Sequence, residues 1–131
     1  MDHMKPATGY IVFAHGSRME SANEAVRRVA ADFTRREGGS PAETAFLELG
    51  TPDLAGAVAA LAQKGVKDVV VLPYFLTLGT HMQRDLPKLV ESALEGHPEM
   101  TIAVAPPLDG HPGLIEALVD RAAEYSGSKN N

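Results

Sequence analysis

Two histidines and a glutamate stand at equivalent places in this chain. His15 follows the apolar run Tyr10-Ile11-Val12-Phe13-Ala14, and Glu48 ends the run Ala45-Phe46-Leu47. His81 follows Val69-Val70-Val71-Leu72 and the loop Pro73–Thr80. His15 to Glu48 and Glu48 to His81 are both steps of 33 residues. That is about one strand-helix repeat of a parallel α/β sheet. The repeat would return all three side chains to one sheet edge, the carboxyl edge, where open α/β sheets bind ligands. Two imidazoles and a carboxylate there point to metal chemistry, proton abstraction, or both.

The elements that would position them read as four strand-helix units. Strands are expected at Gly9–Ala14, Glu43–Leu49, Asp68–Pro73 and Thr101–Ala105. Helices are expected at Ser21–Arg36, Asp53–Gln63, Arg84–Leu94 and Gly113–Tyr125, from apolar residues at helical spacing and from Gly and Pro stops. Thr51-Pro52-Asp53 reads as a cap and turn. Asp68–Pro73 is apolar without a break after its first residue, which suits a central parallel strand covered on both faces. The fold class is therefore α/β: an open, mainly parallel four-stranded sheet with helices on both faces and right-handed crossovers.

Composition narrows the function. A chain of 131 residues fits one domain, with an ordered core over about 9–125 and flexible ends at 1–8 and 126–131. There is no cysteine, so disulfides and thiolate metal sites are excluded. The net charge of −5 argues against a nucleic-acid partner. No stretch approaches a membrane helix, and Met1–Pro6 has no apolar signal region, so a cytoplasmic protein is expected. Met4 is a candidate native start, which makes His3 a poor ligand. No G-x-x-x-x-G-K-[ST] loop is present, so nothing supports nucleotide hydrolysis.

Each motif has a plainer reading. His15-Gly16-Ser17-Arg18 can be an ordinary βα turn, or a site where Gly16 admits a ligand and Ser17 donates to it. Glu48 inside Phe46-Leu47-Glu48-Leu49 is costly to bury unless paired, protonated or metal-bound; otherwise it faces solvent at the strand end. The segment Tyr74-Phe75-Leu76-Thr77-Leu78-Gly79 is apolar where loops are usually polar, which suits a binding wall, or packing under the loop. His97 and His111 read as turn residues.

Taken together, these motifs resemble those of the small single-domain CbiX-type sirohydrochlorin chelatases, relatives of the protoporphyrin ferrochelatases. The resemblance rests on His15-Gly16-Ser17-Arg18, on Phe46-Leu47-Glu48-Leu49 with Pro52, and on Pro73-Tyr74-Phe75-Leu76 with Gly79-x-His81 and Asp85-Leu86-Pro87. It implies insertion of a divalent metal into sirohydrochlorin, with cobalt, iron or nickel as substrate and neither nucleotide nor organic cofactor. It maps the family's two essential histidines onto His15 and His81 and a carboxylate ligand or base onto Glu48. The histidine-rich stretch common in short nickel-inserting relatives is absent. Larger members carry two such domains, so the resemblance implies a homodimer with the cleft between copies. Phe75, Leu76, Leu78 and Gly79 would lie against the macrocycle. Ser17, Arg18 and Arg84 would meet its polar rim, unless the two arginines are only solvated helix starts. A non-catalytic metal or tetrapyrrole carrier would show the same cluster, and an interaction module would show the same apolar loop.

Overall fold

The computed structural model describes residues 8–129. His3, Met4 and the rest of 1–7, with 130–131, lie outside the described residues. Four strands alternate with four helices: β1 (Thr8–Ala14), α1 (Glu20–Arg36), β2 (Ala42–Phe46), α2 (Leu54–Gln63), β3 (Asp68–Pro73), α3 (Thr80–Ala93), β4 (Thr101–Val104) and α4 (Pro112–Lys129). The strands form one sheet in the order β2-β1-β3-β4, and every pairing is parallel.

The centre of the sheet is built as its sequence demands. Ile11, Val12, Phe13 and Ala14 of β1 are all buried. A strand flanked on both sides and covered on both faces must be apolar at successive positions, not alternate ones. In α2, Leu54, Ala57, Val58 and Leu61 are buried at i, i+3, i+4 and i+7. They join Ile11, Phe13, Ala45, Val69 and Val71 in the core, to which α3 adds Leu86 and Ala93. α2 packs on α3. α1 serves the opposite face, where Phe33 meets Tyr10 edge-on with ring centroids 4.9 Å apart.

Three boundaries differ from the sequence reading by more than one residue. β2 ends at Phe46 rather than Leu49. The Phe46 N–H donates to the Pro52 carbonyl at 2.9 Å, and Leu49 adopts a left-handed φ of 58°, so the chain turns back before the apolar run is finished. α3 starts at Thr80 rather than Arg84, because Met82 extends backward the stripe formed by Leu86, Leu89, Val90 and Ala93. That places His81 and Arg84 in a helical turn rather than at a loop end. α4 continues through Lys129, four residues into the stretch 126–131 read as a flexible end.

A fourth difference bears on assembly. β3 is buried on one face only: Val69, Val71 and Pro73 are covered, whereas Val70 and Leu72 are half-exposed. Beside them Thr101, Ala103 and Val104 of β4 are exposed. Among the described residues, the helix that should return onto this part of the sheet, α4, makes no substantial packing with any other element. Its stripe of Ile115, Leu118 and Val119 stands open.

Candidate active site

The sheet reverses its winding between β1 and β3. The chain leaves β1 toward β2 on one side and leaves β3 toward β4 on the other. The two departing loops open a crevice at the carboxyl ends of these strands, where α/β sheets take ligands. His15 is the first residue past β1, and the loop Tyr74–Gly79 follows β3.

The parallel ladder runs on into these loops. The Tyr74 N–H donates to the Phe13 carbonyl at 2.7 Å. This draws Phe75 down into the core, where its ring stands 5.9 Å from that of Phe13 and 4.7 Å from that of His15, edge-on to both. His15 itself is exposed. One side of the imidazole is therefore seated on an aromatic edge, and the rest faces the crevice.

Glu48 reaches the same place from β2. Its N–H donates to the His15 carbonyl at 3.0 Å, and the Leu47 N–H donates to the Ala14 carbonyl at 2.9 Å. The Glu48 carbonyl presses against Gly16 so closely that a Cβ there would overlap it, and Gly16 has a φ of 92°. Gly16 is thus required by the fold: it lets two loops meet, rather than holding open a space for a ligand. The Glu48 side chain is exposed, so the burial cost anticipated from its apolar neighbours does not arise.

His81 occupies the second position of α3 and is exposed. The structure therefore places His15 and Glu48 in the loops that leave β1 and β2, and His81 beyond the loop after β3, in the first turn of α3. Among the described residues, no three His, Asp or Glu side chains converge closely enough to hold a metal ion. Glu48 and His15 are joined through their backbones, and the three expected ligands form no closed metal centre among the described residues of a single chain.

The surrounding residues divide by environment. Phe75 is buried, and Leu78 is half-buried against the core, so neither forms an open wall. Loop packing wins at these two positions, because the ladder to Phe13 pulls the segment inward. Leu76 is 69% exposed and overhangs an apolar cleft of about 500 Å³. His111, Leu114, Ile115 and Leu118 line its other side. Gly79 precedes α3 with an ordinary φ of −66°, and nothing lies within 4 Å of the place its Cβ would take. The fold does not require glycine there. The Ser17 hydroxyl accepts from the Met19 N–H at 3.0 Å, a local turn at the start of α1. Arg18 and Arg84 are exposed and have no ion-pair partner among the described residues.

A polar cluster behind the site carries no motif in the sequence. Asn23 of α1 is 2% exposed, and its amide binds both Ser17 and the Leu49 carbonyl. Arg27 donates to Glu20, Glu24 and the Thr51 carbonyl, and its guanidinium lies 5.4 Å from the centre of the Phe46 ring. Hydrogen bonds from Arg27, then from Asn23, hold the Glu20 carboxyl below its ordinary value.

Known proteins share this architecture. The family model CbiX matches residues 9–125. A sirohydrochlorin cobaltochelatase of Methanothermobacter thermautotrophicus is 28% identical, over 91% of this chain and 93% of that protein. A chloroplastic sirohydrochlorin ferrochelatase of Arabidopsis thaliana is 32% identical over 88% of this chain, which spans 51% of that longer protein. The crystal structure of a cobalamin (vitamin B12) biosynthesis CbiX protein from Marinobacter aquaeolei VT8 superposes with a TM-score of 0.80 at 30% identity, covering 92% of this chain and 98% of that one. SirB from Bacillus subtilis, solved with Fe³⁺, shares the fold at a TM-score of 0.79 and 21% identity, this chain covering 46% of it. With its matching core running from β1 into α4, the chain belongs to the CbiX family.

Proposed function

We propose that this protein inserts a divalent metal into sirohydrochlorin, cobalt first, with iron or nickel as the alternatives, and without nucleotide. One observation carries the reading: an exposed imidazole, His15, is fixed against Phe75 at the β1/β3 switch point, with Glu48 hydrogen-bonded to its backbone. Metallation strips water from M²⁺ and releases two protons from the pyrrole N–H groups. Imidazole suits cobalt and iron while leaving positions free for ring nitrogens. His15 and His81 are assigned to the metal, and Glu48 to the metal or to a departing proton. Leu76 offers an apolar surface to the macrocycle face. Arg18 and Arg84, which have no ion-pair partner among the described residues, are assigned to peripheral carboxylates. The free space at Gly79 leaves room for the ring edge.

The working unit is proposed to be a homodimer. β3 is apolar on both faces but covered on one, while the α4 stripe stands open. A second copy supplies the missing cover, with α4 of each copy on the open β3–β4 face of the other. It also gives the crevice its second wall.

The test is anaerobic metallation of sirohydrochlorin followed by absorbance, with Co²⁺, Fe²⁺ and Ni²⁺ in turn. Acceleration over the uncatalysed rate, abolished by His81→Ala and kept by His97→Ala, is expected. Binding of metal or ring without acceleration would replace the enzyme with a carrier.

A further inference from the structure

The amide of Asn23 joins the two loops that carry His15 and Glu48. Oδ1 accepts from the Ser17 N–H at 2.9 Å. Nδ2 donates to the Ser17 carbonyl at 2.9 Å, to the Leu49 carbonyl at 3.0 Å and, more weakly, to Glu20 Oε1 at 3.2 Å. A primary amide has two N–H groups, so the two backbone carbonyls saturate it and Glu20 shares. Ser17 lies two residues beyond His15, and Leu49 is bonded directly to Glu48.

Asn23 is in an unusual place for such a residue. Asparagine is favoured at helix N-caps and turns, and disfavoured inside helices. Here it is the fourth residue of α1, while the cap position is Met19, which makes no side-chain cap. A buried amide is costly unless its polar groups are satisfied, and this one is satisfied chiefly by the two loops. The slot is tight: a Cβ on Gly50 would come within 3.1 Å of Nδ2. Leu49 is held at a left-handed φ of 58° with its carbonyl aimed at that amide. Such a conformation persists in a non-glycine residue only where its surroundings fix it.

We infer that Asn23 is a positioning residue for metal insertion, setting the placement of Glu48 relative to His15 by clamping Ser17 and Leu49 together. It does not touch substrate. The inference rests on the assignment of Glu48 and His15 in the proposed function.

A double-mutant cycle tests it, with cobalt insertion into sirohydrochlorin as the assay. Asn23→Ala is expected to lower kcat about ten- to a hundredfold, as a displacement of about 1 Å does, with KM for sirohydrochlorin changed by less than about twofold. Combined with Glu48→Ala, it is expected to add little to the loss that Glu48→Ala causes alone, because the clamp acts through Glu48. If Asn23→Ala does not fold, Asn23→Ser, which keeps a polar group in the slot but is too short to span Ser17 and Leu49 together, carries the same cycle. If Glu48→Ala is slow but the Asn23 variant keeps the wild-type kcat, or the two losses multiply, Asn23 is merely structural and the inference fails alone. If Glu48→Ala keeps the wild-type rate, the role given to Glu48 fails, and the inference falls with it.

Discussion

His15 meets Phe75 edge-on, with 4.7 Å between ring centroids and 80° between planes. The two residues lie in the loops that leave the neighbouring central strands β1 and β3, and they meet at the point where the sheet reverses. Phe75 is also in edge-on contact with Phe13 inside the core. The orientation of an exposed imidazole is thereby tied to the interior of the domain.

Phe75→Leu should uncouple them. The leucine keeps most of the apolar volume and loses the ring edge. An edge-to-face pair contributes about 0.5–1.5 kcal/mol beyond its buried area, so the fold should survive with a slightly lower Tm. The rate of cobalt insertion should fall about tenfold, because a small loss of orientation is costly to catalysis. Both are measurable on one preparation, by thermal melting and by steady-state kinetics. A lower Tm with an unchanged kcat would make Phe75 a packing residue only.

The four βα units were legible because apolar periodicity is a local signal. Val69–Leu72 read as an interior strand, which it is, although only one of its two faces is covered, and α2 shows its buried face in the spacing of Leu54, Ala57, Val58 and Leu61. The placement of His15 and Glu48 in the loops directly after neighbouring strands followed from strand order, whereas His81 lies a loop further on, in α3. The misplaced boundaries mark where local signals conflict. Phe46-Leu47-Glu48-Leu49 continues a strand pattern, yet the Pro52 carbonyl captures the Phe46 N–H and the chain turns. Asn23 was invisible for a different reason. Its burial is set by two loops brought together from either side of it in the sequence, and nothing in α1 itself marks it. The role given to Gly16 was inverted, because the neighbour that excludes a side chain there is the Glu48 backbone, 32 residues away.

Gly16 and Gly79 should respond oppositely to the same substitution. Gly16→Ala puts a Cβ into the Glu48 carbonyl at a φ of 92°. The left-handed conformation alone costs about 1–2 kcal/mol, and the overlap adds to it, so the variant should melt well below wild type. Gly79→Ala meets open space at a φ of −66°. Its stability should stay within about 1 kcal/mol of wild type, because the chain-entropy gain offsets a poorer N-cap. If the ring edge uses that space, KM for sirohydrochlorin should rise while Tm holds. A Gly79→Ala enzyme with wild-type KM would remove the ring from this position.

The open surface of α4 gives the sharpest test of assembly. Ile115 and Leu118 are 61% and 66% exposed in the single chain. Replacing both with glutamate therefore removes little packing within a copy. If their partner is the uncovered β3–β4 face of a second copy, the charges would be buried without counter-ions there, and the dimer should dissociate. Sedimentation should shift from dimer to monomer, and cobalt insertion per chain should fall with it. Asp120→Ala, on the opposite side of α4, should change neither. A monomeric wild type that is fully active at every working concentration would make the open stripe irrelevant to catalysis. A double glutamate variant that remained dimeric would place the interface elsewhere on the domain.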